Sequence, residues 1–368
     1  MSLRCKAVVC RELNTPVVVE EIELDSPREP EILVKIAACG VCHSDLSATN
    51  GTIQLPPPII LGHEAAGEVV AVGAAVREFT PGDRIISSFV YSCGGCRYCV
   101  AGRPNLCDEA QRAWYTIPDG STRARDQRGV ALNVFSGCGV MAEYAVLHVN
   151  NAVKIPNSMP LDCAALIGCA VTTGVGAVFN TAAVEPGTSA VVFGCGGVGL
   201  NVVQGCVLAG CAHVIAVDPT EAKLEFARAF GATRTIDTDR IADVVKEVRR
   251  LTGGGADYAF ECVGSGRVVE TAFRATRKGG KTIVVGMPHK DDTTSLRTVM
   301  FPLEEKSILG SWFGSARPRY DYQRLIGLFE SGRLMLRELV TRSYPIEAAP
   351  RAFDDLQAGR NARGLIRF

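Results

Sequence analysis

The sequence predicts an α/β protein of two domains, a mainly β, irregular one followed by a doubly wound parallel sheet. Three observations carry this. Short apolar runs broken by Pro and Gly fill the chain up to about residue 150, strands and helices alternate from Ser189 onward, and the switch is marked by a glycine motif between a strand and a helix. The 368 residues suffice for two domains, and 47% apolar residues can bury two cores.

In chain order, the first domain reads as strands at residues 6–10, 17–22, 31–38, 65–72, 83–87 and 142–146. Ile32, Val34 and Ile36 alternate imperfectly with Glu31, Leu33 and Lys35, as expected where both faces are partly covered. Residues 108–134 read as a long loop. Its charged run, Arg123-Ala-Arg-Asp-Gln-Arg128, reads as a solvated face.

Residues 190–193 form a short apolar strand, followed at once by Gly194-Cys-Gly-Gly-Val-Gly199, a helix at 200–209, and a strand at 214–217 that ends on Asp218. That order is the one a Rossmann dinucleotide site requires. Gly194 permits the tight turn, Gly196 lets backbone amides approach a pyrophosphate, and Gly199 lets the helix pack close on the strand. Gly197 and Val198 complete the motif as further cofactor-binding residues, and the N-terminus of the helix that follows supplies positive potential. The Asp218 carboxylate suits an adenosine ribose and repels a 2′-phosphate, and Pro219 stands where an NADP site favours Arg, so NAD is expected, with Lys223 a second ribose contact.

Helices at 220–230, 240–251 and 267–276 and strands at 258–262 and 281–286 continue the rhythm. A helix at 320–330 and a strand at 364–368 then return the chain to the first domain. The expected division is 1–170 with 315–368, against 171–314.

Two groups of metal ligands stand out. Cys42 in Gly-Val-Cys-His-Ser-Asp and His63 in Gly-His-Glu leave a catalytic zinc one ligand short, and Cys169 is the best third. Cys93, Cys96, Cys99 and Cys107, with Gly94 and Gly95 easing the backbone, fit a closed four-thiolate zinc lobe at about 90–110 better than two disulfides. The loop after this lobe reads as a lid over the first zinc.

The other nine of the 15 cysteines read as reduced packing thiols. Lys plus Arg equals Asp plus Glu at 39 each, which removes the electrostatic footprint of nucleic-acid or anionic-membrane binding and leaves a small molecule as the expected partner. No apolar leader opens the chain, so it reads as cytoplasmic. The uncharged stretch between Glu185 and Asp218 carries Gly, Asn201, Gln204 and His213, and reads as a buried strand, turn and helix rather than a membrane span.

Together these residues resemble the zinc-containing medium-chain alcohol dehydrogenases, in their liver-type, long-loop branch. The likeness runs over essentially the whole chain and implies that the first domain is GroES-like. It further implies two zincs per subunit, a catalytic zinc on Cys42, His63 and Cys169 that binds an alcohol oxygen, and hydride transfer to NAD. Asp45 would hold His63, Glu64 would lie near the metal and assist ligand exchange, and Ser44 would take the alcohol proton. His43 and Arg363 would serve the cofactor. A family histidine that ends the proton relay is matched here by Ser47, so the relay is expected to end at water. Phe89, Phe135, Met287 and Trp312, with small Ser136, would line a wide apolar pocket for a primary aromatic or medium-chain alcohol or its aldehyde. Oxidation of a thiol adduct of formaldehyde is the alternative. It is disfavoured because Gln111, followed by Arg112, stands near where that branch carries an arginine. A non-catalytic dinucleotide-binding protein is a further alternative, disfavoured because the three ligands and Ser44 are all retained. The resemblance also implies a homodimer paired through the edge strand at 307–310.

Overall fold

The computed structural model describes residues 2–368, which divide into two compact units. The first comprises residues 2–169, 317–332 and 336–368, and the second residues 170–316 and 333–335. Residues 333–335 join the second unit because Gln204 grips them there, its Oε1 accepting from Met335 N at 3.0 Å and its Nε2 donating to Met335 O at 3.3 Å.

The first unit is built on a small closed barrel and a seven-stranded sheet. In the sheet the long strand Glu31–Val41 is central. It pairs with Ala65–Val72 and Tyr144–His148, and on its other side with Arg363–Arg367 near the end of the chain. Ile32, Val34 and Ile36 lie in the apolar core between them. Most expected strands appear with shifts of one to three residues at their ends, as is usual where terminal pairing decides the boundary.

The segment 108–134 departs from expectation. Ala124–Asp126 and Ala131–Val134 form an antiparallel hairpin that completes the barrel beside Val18–Leu24, so this part is a piece of the barrel rather than a lid, and of its charged run Arg125 and Arg128 are exposed as expected while Arg123 and Asp126 are not. Its two buried charges are paired. Arg123, 3% exposed, donates through Nε to Glu31 Oε2 at 3.0 Å and reaches Asp119 Oδ2 at 2.7 Å, while buried Asp126 accepts from Arg11 at 3.0 Å.

The second unit is a six-stranded parallel sheet in the order Arg234–Asp237, His213–Asp218, Ser189–Phe193, Ala256–Glu261, Thr276–Val284, Ser307–Gly310, which is 3-2-1-4-5-6 in chain order. Strands one and four are neighbours, so the topological switch point falls between Ser189–Phe193 and Ala256–Glu261, where open α/β sheets bind ligands beyond the carboxyl ends of their strands. Val191, Phe193, Ile215, Val217 and Ile236 fill one core of this sheet. The helix expected from residue 240 starts at Val244, because Asp243 Oδ1 accepts from Lys246 N at 2.9 Å and caps it there. The strand Arg234–Asp237 was not expected, since only one of its four residues is a large apolar one.

The helical stretch Leu161–Ala182 is long and apolar enough to cross a membrane, and 89% of its most apolar window is buried within the protein.

Candidate active site

Cys42 caps the seven-residue helix His43–Thr49, and Asp45 at its third position turns back to accept from Cys42 N at 3.1 Å. The same carboxylate, fully buried, accepts from Gly62 N at 2.9 Å and stands 3.3 Å from His63 Nδ1. A carboxylate only accepts, so Nδ1 donates to it and Nε2 is the nitrogen that can offer a lone pair to a metal, which would displace any proton there. That Nε2 is buried without a hydrogen-bond partner. It belongs to a cluster in which ligand atoms of Cys42, His63, Glu64 and Cys169 all lie within 4.8 Å of one another. A buried donor atom with no partner, two sulfurs and a carboxylate fit a zinc ion.

Charge in the cluster favours a cation. The Cys169 thiol draws the Cys42 pKa well below the usual thiol range and is itself raised, so the two sulfurs share a proton that a metal would replace. Burial lowers the His63 pKa, but Asp45 and Cys42 outweigh it and hold it well above the ordinary imidazole value. Burial pushes Glu64 up to about 7, against the opposing pull of Arg363. Arg363, 3% exposed, donates from Nη2 to Glu64 Oε2, and its Nε has no partner.

In the lobe, Cys96 Sγ and Cys107 Sγ are 3.9 Å apart, close to the ~3.8 Å edge of a regular tetrahedron of sulfurs ~2.3 Å from zinc. Backbone amides of Cys93 and Cys96 donate to the sulfurs of Cys107 and Cys93 at 3.2 and 3.3 Å, as thiolates require. All 15 cysteines are free of disulfides.

In the second unit, Gly194 turns at φ +89° and ends the first strand at the switch point. A Cβ at Gly199 would lie 1.8 Å from Gly194 O, whereas one at Gly196 would meet nothing within 4 Å. The helix Gly197–Leu208 is therefore tight against its strand and open where its N-terminus faces outward, and no side chain caps it. Asp218, 4% exposed, accepts from Cys195 N at 2.9 Å and Thr220 N at 3.0 Å, which ties the second strand to the glycine turn. These residues fit a dinucleotide with its pyrophosphate on the helix.

Profiles of two families match the chain, one described as an alcohol dehydrogenase GroES-like domain over residues 28–157 and one as a zinc-binding dehydrogenase over residues 197–331. An NDMA-dependent alcohol dehydrogenase of Amycolatopsis methanolica is 39% identical, covering 99% of each chain. The chain belongs to the zinc-containing medium-chain alcohol dehydrogenase family. An S-(hydroxymethyl)glutathione dehydrogenase of Saccharomyces cerevisiae is 35% identical over 99% of this chain and 96% of its own. The structure of a benzyl alcohol dehydrogenase from Acinetobacter calcoaceticus superposes with a TM-score of 0.92 at 30% identity, covering 100% of this chain and 99% of that one.

Within this alcohol dehydrogenase, Ser44 Oγ stands 3.8 Å from Cys42 Sγ, His43 is exposed and Ser47 half-buried. Two of the expected pocket residues meet at the cluster, the rings of Phe89 and Phe135 lying edge-on to His63 with centroids 5.4 and 4.9 Å away. Met287, 54% exposed, and half-buried Trp312 belong to the second unit, as does Lys223. Ser136 is buried with φ +52°. Arg112 is engaged by Glu109.

Arg363, expected to serve the cofactor, has its guanidinium on Glu64 within the cluster of candidate ligands. Sequence reasoning missed that pairing, and nothing in the local pattern of Asn-Ala-Arg-Gly announces it. It also missed Ser87, whose hydroxyl accepts from Ala65 N at 2.9 Å beneath the His63 segment.

Proposed function

We propose that this oxidoreductase is an NAD-dependent alcohol dehydrogenase that interconverts a primary aromatic or medium-chain alcohol and its aldehyde. The observation that carries the reading is the convergence of Cys42, His63 and Cys169 with a buried, unpartnered His63 Nε2. Those three residues would hold a catalytic zinc and the four lobe cysteines a structural one. Zinc supplies Lewis acidity toward the alcohol oxygen, and NAD supplies the hydride acceptor.

The chain's own part is orientation and proton handling. Asp45 fixes the His63 tautomer so that Nε2 is available. Glu64, paired to Arg363, keeps a carboxylate beside the ligands, where it can take a vacant position during exchange. Ser44 Oγ, beside Cys42, receives the alcohol proton and passes it on toward water. Phe89 and Phe135 exclude water around His63 and offer ring faces to an apolar substrate. The helix opening at Gly197 would bind the pyrophosphate, Asp218 the adenosine ribose, and Lys223 would support it. The benzyl alcohol dehydrogenase likeness supports an aromatic substrate. A homodimer through Ser307–Gly310, which lies at one edge of its sheet, is part of this reading and is checked by sedimentation.

The test is NADH formation from benzyl alcohol and NAD by purified protein, run beside NADP, beside NDMA as acceptor, and beside a chelator-treated sample. NAD-selective turnover that disappears with zinc is expected. The 35% identity to the yeast enzyme favours one second reading, a thiol-adduct substrate. Turnover only with formaldehyde plus glutathione would establish it, and no turnover from protein that binds NAD but lacks catalytic zinc would leave cofactor binding alone.

A further inference from the structure

Cys169 sits in an unusual stretch of helix. The α-helix Leu161–Leu166 passes into a π-helical turn over Ile167–Val171, a distorted form that needs support from its surroundings. Gly168, the residue before Cys169, is packed so closely that a Cβ there would lie 3.1 Å from Ser87 O and 3.4 Å from Glu64 Cα.

Against this point lies Tyr322, from the helix Pro318–Glu330. It is the largest fully buried side chain of the protein among the described residues. Its phenol donates to Ser87 O at 3.0 Å and approaches Gly168 O at 3.4 Å. Ser87 in turn is braced to the other ligand segment. Its hydroxyl accepts from Ala65 N at 2.9 Å and faces Ala65 O at 3.2 Å and His63 O at 3.4 Å, so whichever carbonyl takes its proton, it spans the turn that carries His63. Two residues after Ser87 comes Phe89, edge-on to the His63 ring. A core tyrosine needs one acceptor, and this one is directed at the junction of three segments that each deliver a group to the cluster.

We propose that Tyr322 is a positioning residue for the catalytic metal: with Ser87 it cross-braces the Cys169 turn to the His63 segment and fixes the span between those two ligands. The proposal rests on the reading of Cys42, His63 and Cys169 as a zinc site. Removing the phenol oxygen leaves Ser87 O short of its donor in a dry interior and takes the packed polar contact away from Gly168 O, so the Cys169 turn is free to relax. Groups that orient metal ligands from behind typically change metal affinity 10- to 100-fold, and one step further out the lower end applies, about tenfold.

The experiment uses zinc-loaded full-length protein and Tyr322→Phe, which keeps the ring. Zinc release to a chromogenic chelator is followed in time, the catalytic phase being assigned as the one that His63→Ala abolishes. The lobe zinc serves as internal control, and cobalt substitution reports the ligand field through its visible band. Tyr322→Phe is expected to speed the catalytic phase about tenfold and shift the cobalt band, while the lobe phase stays at the wild-type rate. Ser87→Ala should do the same. Tyr344→Phe, which deprives Asp355 of a phenol at 2.7 Å in the same unit, should change neither phase. Unchanged release, equal acceleration of both phases, or a protein that simply loses its fold would each overturn the proposal, because each makes Tyr322 an ordinary core residue. If His63→Ala abolishes no phase, the zinc-site reading itself falls and the proposal with it.

Discussion

Substituting Gly199 by Ala tests the cofactor half of the protein separately from the metal half. The added Cβ would lie 1.8 Å from Gly194 O, and real Cβ atoms essentially never approach closer than 3.0 Å, so helix and glycine turn must separate by about 1.2 Å. Neither partner is a flexible side chain that can swing away, because the contact is to backbone. The displaced amides at Gly197 and Val198 lose their alignment on the pyrophosphate, and one charge-assisted hydrogen bond lost is worth about 1.5–3 kcal/mol. The dissociation constant for NADH should therefore rise about tenfold to a hundredfold. Fluorescence titration of NADH measures it, with zinc content and the melting curve run alongside. Both zincs should remain, since every ligand lies in the other unit. A folded variant that binds NADH within a factor of two of wild type would refute the argument that this close approach builds the cofactor site.

Three further outcomes are expected. Asp45→Asn exchanges one acceptor oxygen for a donor, so either Cys42 N or the pair Gly62 N and His63 Nδ1 loses its partner. Catalytic zinc affinity should fall about 10- to 100-fold with lobe zinc unchanged, read by chelator competition. Asp218→Ala should weaken NAD far more than NADP and bring their kcat/KM values toward each other, and a preserved NAD preference would count against the ribose role. The third concerns acid. Burial alone would raise the Asp119 pKa, but the Ser121 hydroxyl and Arg123 outweigh it and hold it at about 2, below the ordinary 3.8. A lowered folded-state pKa stabilises the fold above the unfolded value and ceases to as pH falls through the folded one. The wild-type melting temperature should thus fall more steeply than that of Asp119→Asn between about pH 4 and pH 2, and parallel curves would remove Asp119 from the account.

Local chemistry was legible in the sequence and long-range pairing was not. Gly194, Gly196 and Gly199 announce a turn, an open approach and a tight packing because each constraint acts within a few residues, and the alternation of strands and helices gave the parallel sheet. The cysteines of the lobe are likewise neighbours in sequence. In the run from Arg123 to Arg128, Arg125 and Arg128 are exposed as read, but Arg123 and Asp126 mislead for the opposite reason. Charges read as solvated unless their partners are known, and Glu31 and Arg11 are some 90 and 115 residues away. Arg363 is a further case, 299 residues from Glu64. Tyr322 offered only its spacing with Leu325 and Ile326, which marks a buried helix face and says nothing of the carbonyls its hydroxyl meets.

The pairing of Arg363–Arg367 with the strand Glu31–Val41 bears on how the protein is made. A ribosome must synthesise the chain through residue 367 before the first unit can close, whereas residues 170–316 form a continuous stretch that can fold as it emerges. During that interval Cys42, Cys169 and the lobe thiols have emerged but the enclosing sheet is incomplete. Metal delivery to the cluster of Cys42, His63 and Cys169 is thereby deferred until the strand Arg363–Arg367 has been made, and a nascent chain stalled before residue 363 would present these sulfurs to any oxidant or competing ion in its surroundings.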